Sequence, residues 1–302
     1  MGMTKYFDLK KTYPRALEFC DELTVQFPWF KHSLSEKALV LLKMGNWDQC
    51  MDSVERALSE NSRDIEALRI MVLLLLSRDG RAREAAEHRD SEVLQCSLGL
   101  IEHAIQLNPE SGAFRAERGY QRALLGDFAE AMESYKEALK LDESNEMALH
   151  GMIYCQIKLG QLEDASQQME FLSVIQESLG ASASFAFLQA LLSWEKDRDR
   201  PRQVELLQQT VQVHMDKLKE AIEGPDVSTH DTMSLLNPIF PVKVATEFLQ
   251  GDTSKQGSDD SSDAVAKGMS ILEKLVNKSP GFLRAQFVLA QAYFDAQRLR
   301  SR

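Results

Sequence analysis

Apolar side chains recur along most of the chain at three- and four-residue spacing, the period that lays one hydrophobic stripe along an α-helix. The pattern predicts helices over 14–27, 33–44, 48–60, 64–77 and 93–107, with the tail of an earlier helix at 6–9. Beyond residue 180 it predicts helices over 183–196, 202–223, 241–249, 264–277 and 282–296. Proline marks the stops at Phe27-Pro28, Asn108-Pro109 and Ser279-Pro280, where it forbids another helical turn. Only 8 prolines and 15 glycines occur in 302 residues, while Leu, Ala, Glu, Gln, Lys and Met, which lose least freedom in a helix, are plentiful. The expected class is all-α.

A fixed period lies beneath the helices. Gly126-Asp127-Phe128, followed by Ala131, Tyr135 and Ala138, returns 34 residues later as Gly160-Gln161-Leu162 with Ala165, Met169 and Leu172. Gly45-Asn46-Trp47, followed by Cys50, Val54 and Ala57, keeps the same relative places. That period, with a small residue opening the turn and another inside the second helix, is the signature of the tetratricopeptide (TPR) hairpin. It predicts an α-solenoid of stacked antiparallel helix hairpins. Two helices approach closely only where side chains are small, so Gly119, Ala131 and Ala138 are read as the contact points. Arg118 replaces the usual leucine, which predicts a less buried first helix in its unit.

The repeats are not uniform. Residues 1–30 read as a truncated hairpin and 31–180 as TPR repeats, with a phase break near 78–91 because Ala57 and Ala104 stand 47 residues apart rather than 34. Residues 181–250 read as degenerate helical repeats, and 251–263 (GDTSKQGSDDSSD) as a flexible acidic Ser/Gly insert. Residues 264–302 read as an incomplete TPR segment, with Ala290 and Tyr293 at first-helix repeat positions and Phe287, Leu289, Tyr293 and Phe294 left uncovered. On this reading the chain starts and stops within repeats.

The charge balance, 35 basic against 46 acidic residues, gives −11, so nucleic acid is not an expected partner. No apolar run approaches the roughly 20 residues of a membrane span, and no secretory signal is read at the N-terminus. The cysteines Cys20, Cys50, Cys96 and Cys155 are far apart and read as four buried thiols, with neither zinc nor disulfides implied. The six histidines form no i, i+4 pair, and no phosphate-cradling or nucleophile-elbow motif occurs, so no enzyme, metal or cofactor is expected. Two basic clusters, Arg78, Arg81, Arg83 and Arg89, then Lys196, Arg198, Arg200 and Arg202, are interleaved with acids and read as solvated faces. Trp29, Phe30 and Trp47 read as staples between hairpins. The carboxylate clamp of chaperone-binding TPR domains is absent, since Ser35 and Leu39, or Ala116 and Tyr120, with Ile70 and Gly151, stand at its positions.

The stretches NWDQCMDSVERAL, DIEALRIMVL, AIQLNPESGAFRAERGYQRALLGDFAEAMESYKEALKLDES and GQLEDASQQMEFLSVIQESLG, with LNPIF outside the repeats, resemble the tetratricopeptide repeat domain 21 proteins in order as well as content. Those proteins are several times longer, and the phase break resembles a place where residues are missing relative to them. The resemblance implies a large repeat subunit of intraflagellar transport complex A, acting in retrograde ciliary transport and ciliary protein trafficking. It implies the other complex A subunits as partners and the cytoplasm and cilium as location. The alternative reading is a generic cytosolic TPR adaptor that holds a peptide in its groove.

Overall fold

A computed structural model describes residues 2–82, 87–179, 182–223, 235, 238–250, 259–278 and 283–300. Helix follows helix throughout: α1 (Gly2–Leu9), α2 (Tyr13–Gln26), α3 (His32–Lys43), α4 (Trp47–Glu60), α5 (Ile65–Ala82), α6 (Glu87–Leu107), α7 (Gly112–Leu125), α8 (Phe128–Leu141), α9 (Glu146–Lys158), α10 (Leu162–Leu179), α11 (Ala183–Leu192), α12 (Arg200–Glu223), α13 (Ile239–Leu249), α14 (Asp259–Lys278) and α15 (Leu283–Arg300). Consecutive helices pack as antiparallel pairs, and each pair packs on the next. No strand occurs among the described residues. The architecture is the expected all-α, TPR-like solenoid.

The turn glycines of the three matched units take positive φ: +73° at Gly45, +93° at Gly126 and +75° at Gly160. A side chain strains that conformation, so glycine recurs where the first helix of a hairpin must end and reverse. Helix starts are satisfied by side chains: Ser111 accepts from Phe114 N, Asn145 from Ala148 N and Ser182 from Phe185 N. Asp64 caps α5 through Ala67 N at 3.1 Å and accepts from the Ser35 hydroxyl at 3.0 Å, so one buried carboxylate also ties α3 to the next hairpin.

Between the turns the contact positions are closed. Ala57, Ala104, Ala131, Ala138 and Ala165 are buried, as are Gly119 and the Tyr135 ring at 2% exposure. A Cβ on Gly119 would stand 2.7 Å from the Tyr135 ring, and one on Gly151 only 2.2 Å from it. Tyr135 thus fills a slot whose walls are two glycines, one in its own hairpin and one in the next. Arg118 is half-buried because its guanidinium reaches α8, donating to the Ser134 hydroxyl and the Glu137 carboxylate.

Several details differ from the sequence reading. Of the extra 13 residues between Ala57 and Ala104, 11 lie within the helices themselves, since α5 has 18 residues and α6 has 21 where α7 and α8 have 14 each. α11 does not run unbroken over 183–196: a π-turn, Ser193–Asp197, follows it and Arg198 closes that turn at φ +53°. Residues 259–263, assigned to the flexible insert, are the first turn of α14; the rest of that insert lies outside the described residues.

In α15 the buried positions are Ala285 and Ala292, with Val288 and Leu289 packed beside them on Val242, Ala245 and Leu272. Leu289 is therefore covered, and Ala290 and Tyr293 are exposed, together with Phe287 and Phe294. The period places Ala290 and Tyr293 on the face that a following helix would cover, and α15 packs with α13 and α14 through the other face. Cys96 is exposed, unlike Cys20, Cys50 and Cys155. Trp29 is 74% exposed and meets the Phe27 and Phe30 rings of its own loop edge-on, whereas Trp47 packs on the core of α3 and α4.

Candidate functional site

The first helices of successive hairpins face inward, and together with α12 and α13 they enclose a cavity of about 770 Å³. α7 and α9 form its floor. Tyr120 and Tyr154, 34 residues apart, occupy equivalent places on these two helices and line the cavity one above the other in the stack. Phe114, Phe187 and Phe240 supply further apolar wall. Phe240 meets Phe187 edge-on at 5.6 Å and lies 5.2 Å from the His214 ring.

α13 brings a cation into this surface. Lys243 Nζ lies 4.6 Å from the centre of the Tyr154 ring and 5.8 Å from that of Tyr120. Such contacts stabilise by about 0.5–2 kcal/mol, more as water is excluded. Burial, with help from the Arg284 charge, pushes the Lys243 ammonium down to about 8. One turn on, Glu247 is buried and its carboxyl is raised by that burial, against the pull of Lys158 at 3.8 Å. Arg200 donates to the carbonyls of Glu247 at 3.0 Å and Phe248 at 2.7 Å, satisfying the end of α13 that lacks helical partners.

Glu117 and His150 also line the cavity, as do Arg69, Glu146, Lys217 and His214. Glu117, one turn before Tyr120, accepts from Gln121 Nε2 at 3.0 Å, and burial raises its carboxyl above the ordinary range. His150 is pushed down to about 4 by burial, against a hydrogen bond to the Glu146 carbonyl, so its ring is neutral near pH 7. Its Nε2 is buried with no protein partner. His214 is likewise held below its usual value by burial.

The sequence reading marked Tyr120 and Gly151 only as places where a chaperone clamp is missing; both line this cavity. The repeat residues it named sit behind the groove and set its spacing, and Tyr135 alone among them reaches the lining. The second basic cluster is engaged within the chain: Lys196 with Glu163, Arg198 with Glu195, Arg202 with Glu205, and Arg200 on α13. The side chains of the first cluster, at 78–89, lie outside the described residues. Among the described residues no group of His, Cys, Asp or Glu is arranged to hold a metal ion, and no helix is long and apolar enough to cross a membrane.

A crystal structure of a tetratricopeptide repeat protein from Parabacteroides merdae superposes with a TM-score of 0.53 at 13% identity, covering 89% of this chain and 96% of that one, which speaks to the fold alone. Human tetratricopeptide repeat protein 21B is 29% identical over 327 residues, which cover 97% of this chain and 24% of the human protein. Mouse tetratricopeptide repeat protein 21A is 28% identical over an equally long span with the same coverage. The chain therefore spans about a quarter of the length of these relatives. The matched span exceeds the 302 residues present, so the human protein carries residues within it that this chain lacks. Residues 1–51 match the N-terminal ARM repeat of tetratricopeptide repeat protein 21, and residues 86–296 match its second ARM domain, so this chain, built as a scaffold of stacked helices, belongs to the tetratricopeptide repeat protein 21 family.

Proposed function

We propose that this chain is a non-catalytic interaction scaffold of intraflagellar transport complex A, acting in retrograde ciliary transport and ciliary protein trafficking, in the cytoplasm and the cilium. The observation that carries the reading is the family match over residues 86–296, with the role that this family's resemblance implies. Its partners are the other complex A subunits. The architecture supports the reading because stacked hairpins expose a long continuous surface, suited to holding other proteins. In the groove the titratable side chains are spread over several helices, and the role of the surface is to bind.

Co-expression of the tagged chain with the other complex A subunits tests this. Retention of at least one of them in near-equal amount through affinity purification and size exclusion is the expected result. Elution of the chain apart from every subunit at micromolar concentration rejects the ciliary assignment.

A further inference from the structure

Three cations gather around the Tyr154 ring. Lys243 Nζ lies 4.6 Å from the ring centre and Lys158 Nζ 5.7 Å from it, and the Arg284 charge acts on both Tyr154 and Lys243. Among the described residues the one carboxylate paired with any of the three is Glu247, which lies 3.8 Å from Lys158. Lys243 is left over. No described carboxylate pairs with it, and its three N–H donors have no acceptor among the described residues. The charges that act on it, from Arg284 and Lys158, are of its own sign, and the Cys155 thiol opposite them is kept uncharged by its burial. Glu117 and Glu146 line the cavity but are not among the groups that act on Lys243.

The lining as a whole repeats this imbalance. It holds Arg69, Lys217 and Lys243 against Glu117 and Glu146, in a chain whose net charge is −11. A half-buried ammonium beside like charges is relieved by an anion, and a carboxylate also answers its free donors with charge-assisted hydrogen bonds. Building on the scaffold reading above, we propose that the groove across α7 and α9 takes an acidic side chain from a segment of a partner protein, with its carboxylate on Lys243 and its stem against Tyr120 and Tyr154. The cation comes from α13 and not from the clamp positions on the first helices, which hold Ala116, Tyr120 and Gly151. Lys243 is already partly desolvated in the free chain, so the incoming carboxylate gains more there than at a solvated lysine.

The test uses end-blocked heptapeptides of alanine and leucine with one central glutamate, glutamine or lysine, carrying an uncharged fluorophore, titrated with the full chain and followed by anisotropy. The glutamate peptide is expected to bind at least tenfold more tightly than the glutamine peptide, with the lysine peptide weakest. The net charge of the chain works against that order, so such a preference has to arise locally. Lys243→Met, which keeps the stem, should bring glutamate and glutamine within twofold of each other, and Lys243→Gln should do the same; circular dichroism checks that both are folded. Lys217→Met removes another cation of the lining and should leave most of the preference in place. Equal binding of glutamate and glutamine, absence of binding by all three, preference for lysine in the unmodified chain, or a glutamate preference that survives loss of the Lys243 charge each overturns the proposal, as does a preference abolished by Lys217→Met. Co-purification with complex A subunits is scored separately, so loss of the peptide result leaves the scaffold reading standing and loss of co-purification leaves the peptide result standing.

Discussion

The hairpins around α7–α9 and the helices α13–α15 solve the same packing problem with different materials. In the central pair, one ring does the joining: Tyr135 enters a slot between Gly119 and Gly151, and Ala131 and Ala138 let α8 lie close to α7. Among the described residues of α13–α15 no aromatic knob is buried between two glycines. Gly268 permits a close approach instead, since a Cβ there would stand 2.9 Å from Phe248 Cβ and 3.0 Å from the Ala245 carbonyl. Arg200 closes the end of α13, and Glu247 is held by Lys158 from α9. The central hairpins therefore depend on shape, and the later ones on small contacts plus buried polar groups that reach back to earlier helices.

Ala131→Glu attacks the central solution most directly. It forces a carboxylate into a site with no exposure, and we expect a loss of about 3 kcal/mol or more in urea unfolding. An unchanged midpoint would show that α8 does not depend on close contact there. Gly151→Ala comes next. The added methyl meets a ring that Gly119 blocks from behind, an overpacking cost of about 1–3 kcal/mol, offset by the roughly 1 kcal/mol that alanine gains over glycine in a helix. A net loss of up to about 2 kcal/mol is expected, and Tyr135→Leu in the same chain should recover part of it.

Titration separates the two regions by sign. His150, near its usual 6.5 when unfolded and about 4 when folded, contributes stability that is complete above pH 6.5 and lost as pH falls toward 4. His150→Gln should flatten the decline between pH 7 and 5 by roughly 1–2 kcal/mol. Glu247 has a raised folded value, so its contribution is present at low pH and fades as pH rises from 4.5 through that value, and Glu247→Gln should flatten that fall. Denaturation curves at several pH values check both; slopes of one sign for both variants would remove the distinction. The smallest effect belongs to Ala290→Glu, which occupies the repeat position on the exposed face of α15 and should move stability by less than about 0.5 kcal/mol.

The contrast also explains what was legible beforehand. The 34-residue period, the turn glycines and the alanines of the central units are local signals, because each helix must carry its own small residue at a fixed distance from the turn. Gly151 was missed as a packing residue because the repeat template puts the small residue elsewhere. A glycine inside a helix costs about 1 kcal/mol relative to alanine, and that cost was the available clue. Ala290 and Tyr293 show the other side of the same rule: the period gives the position, and only the neighbouring helices decide whether it is covered. The groove was least legible, since Lys243 meets tyrosines 89 and 123 positions earlier in the chain. The spacing of Tyr120 and Tyr154 by one whole period was its single sequence trace.

The cysteines carry a practical consequence. Burial pushes the Cys20 thiol up to about 11 and the Cys155 thiol up to about 12, and the Cys50 thiol is enclosed and donates to the Ala38 carbonyl. Alkylation needs an accessible thiolate, so in the folded chain these three are silent and Cys96, on the surface of α6, is open to reagent. Cys20, Cys50 and Cys155 sit on α2, α4 and α9, one in each of three separate hairpins. A maleimide bearing a mass tag thus adds once to the intact stack, and each further addition marks a particular hairpin coming apart, so the chain holds its own set of position-coded gauges for the order in which the solenoid unravels.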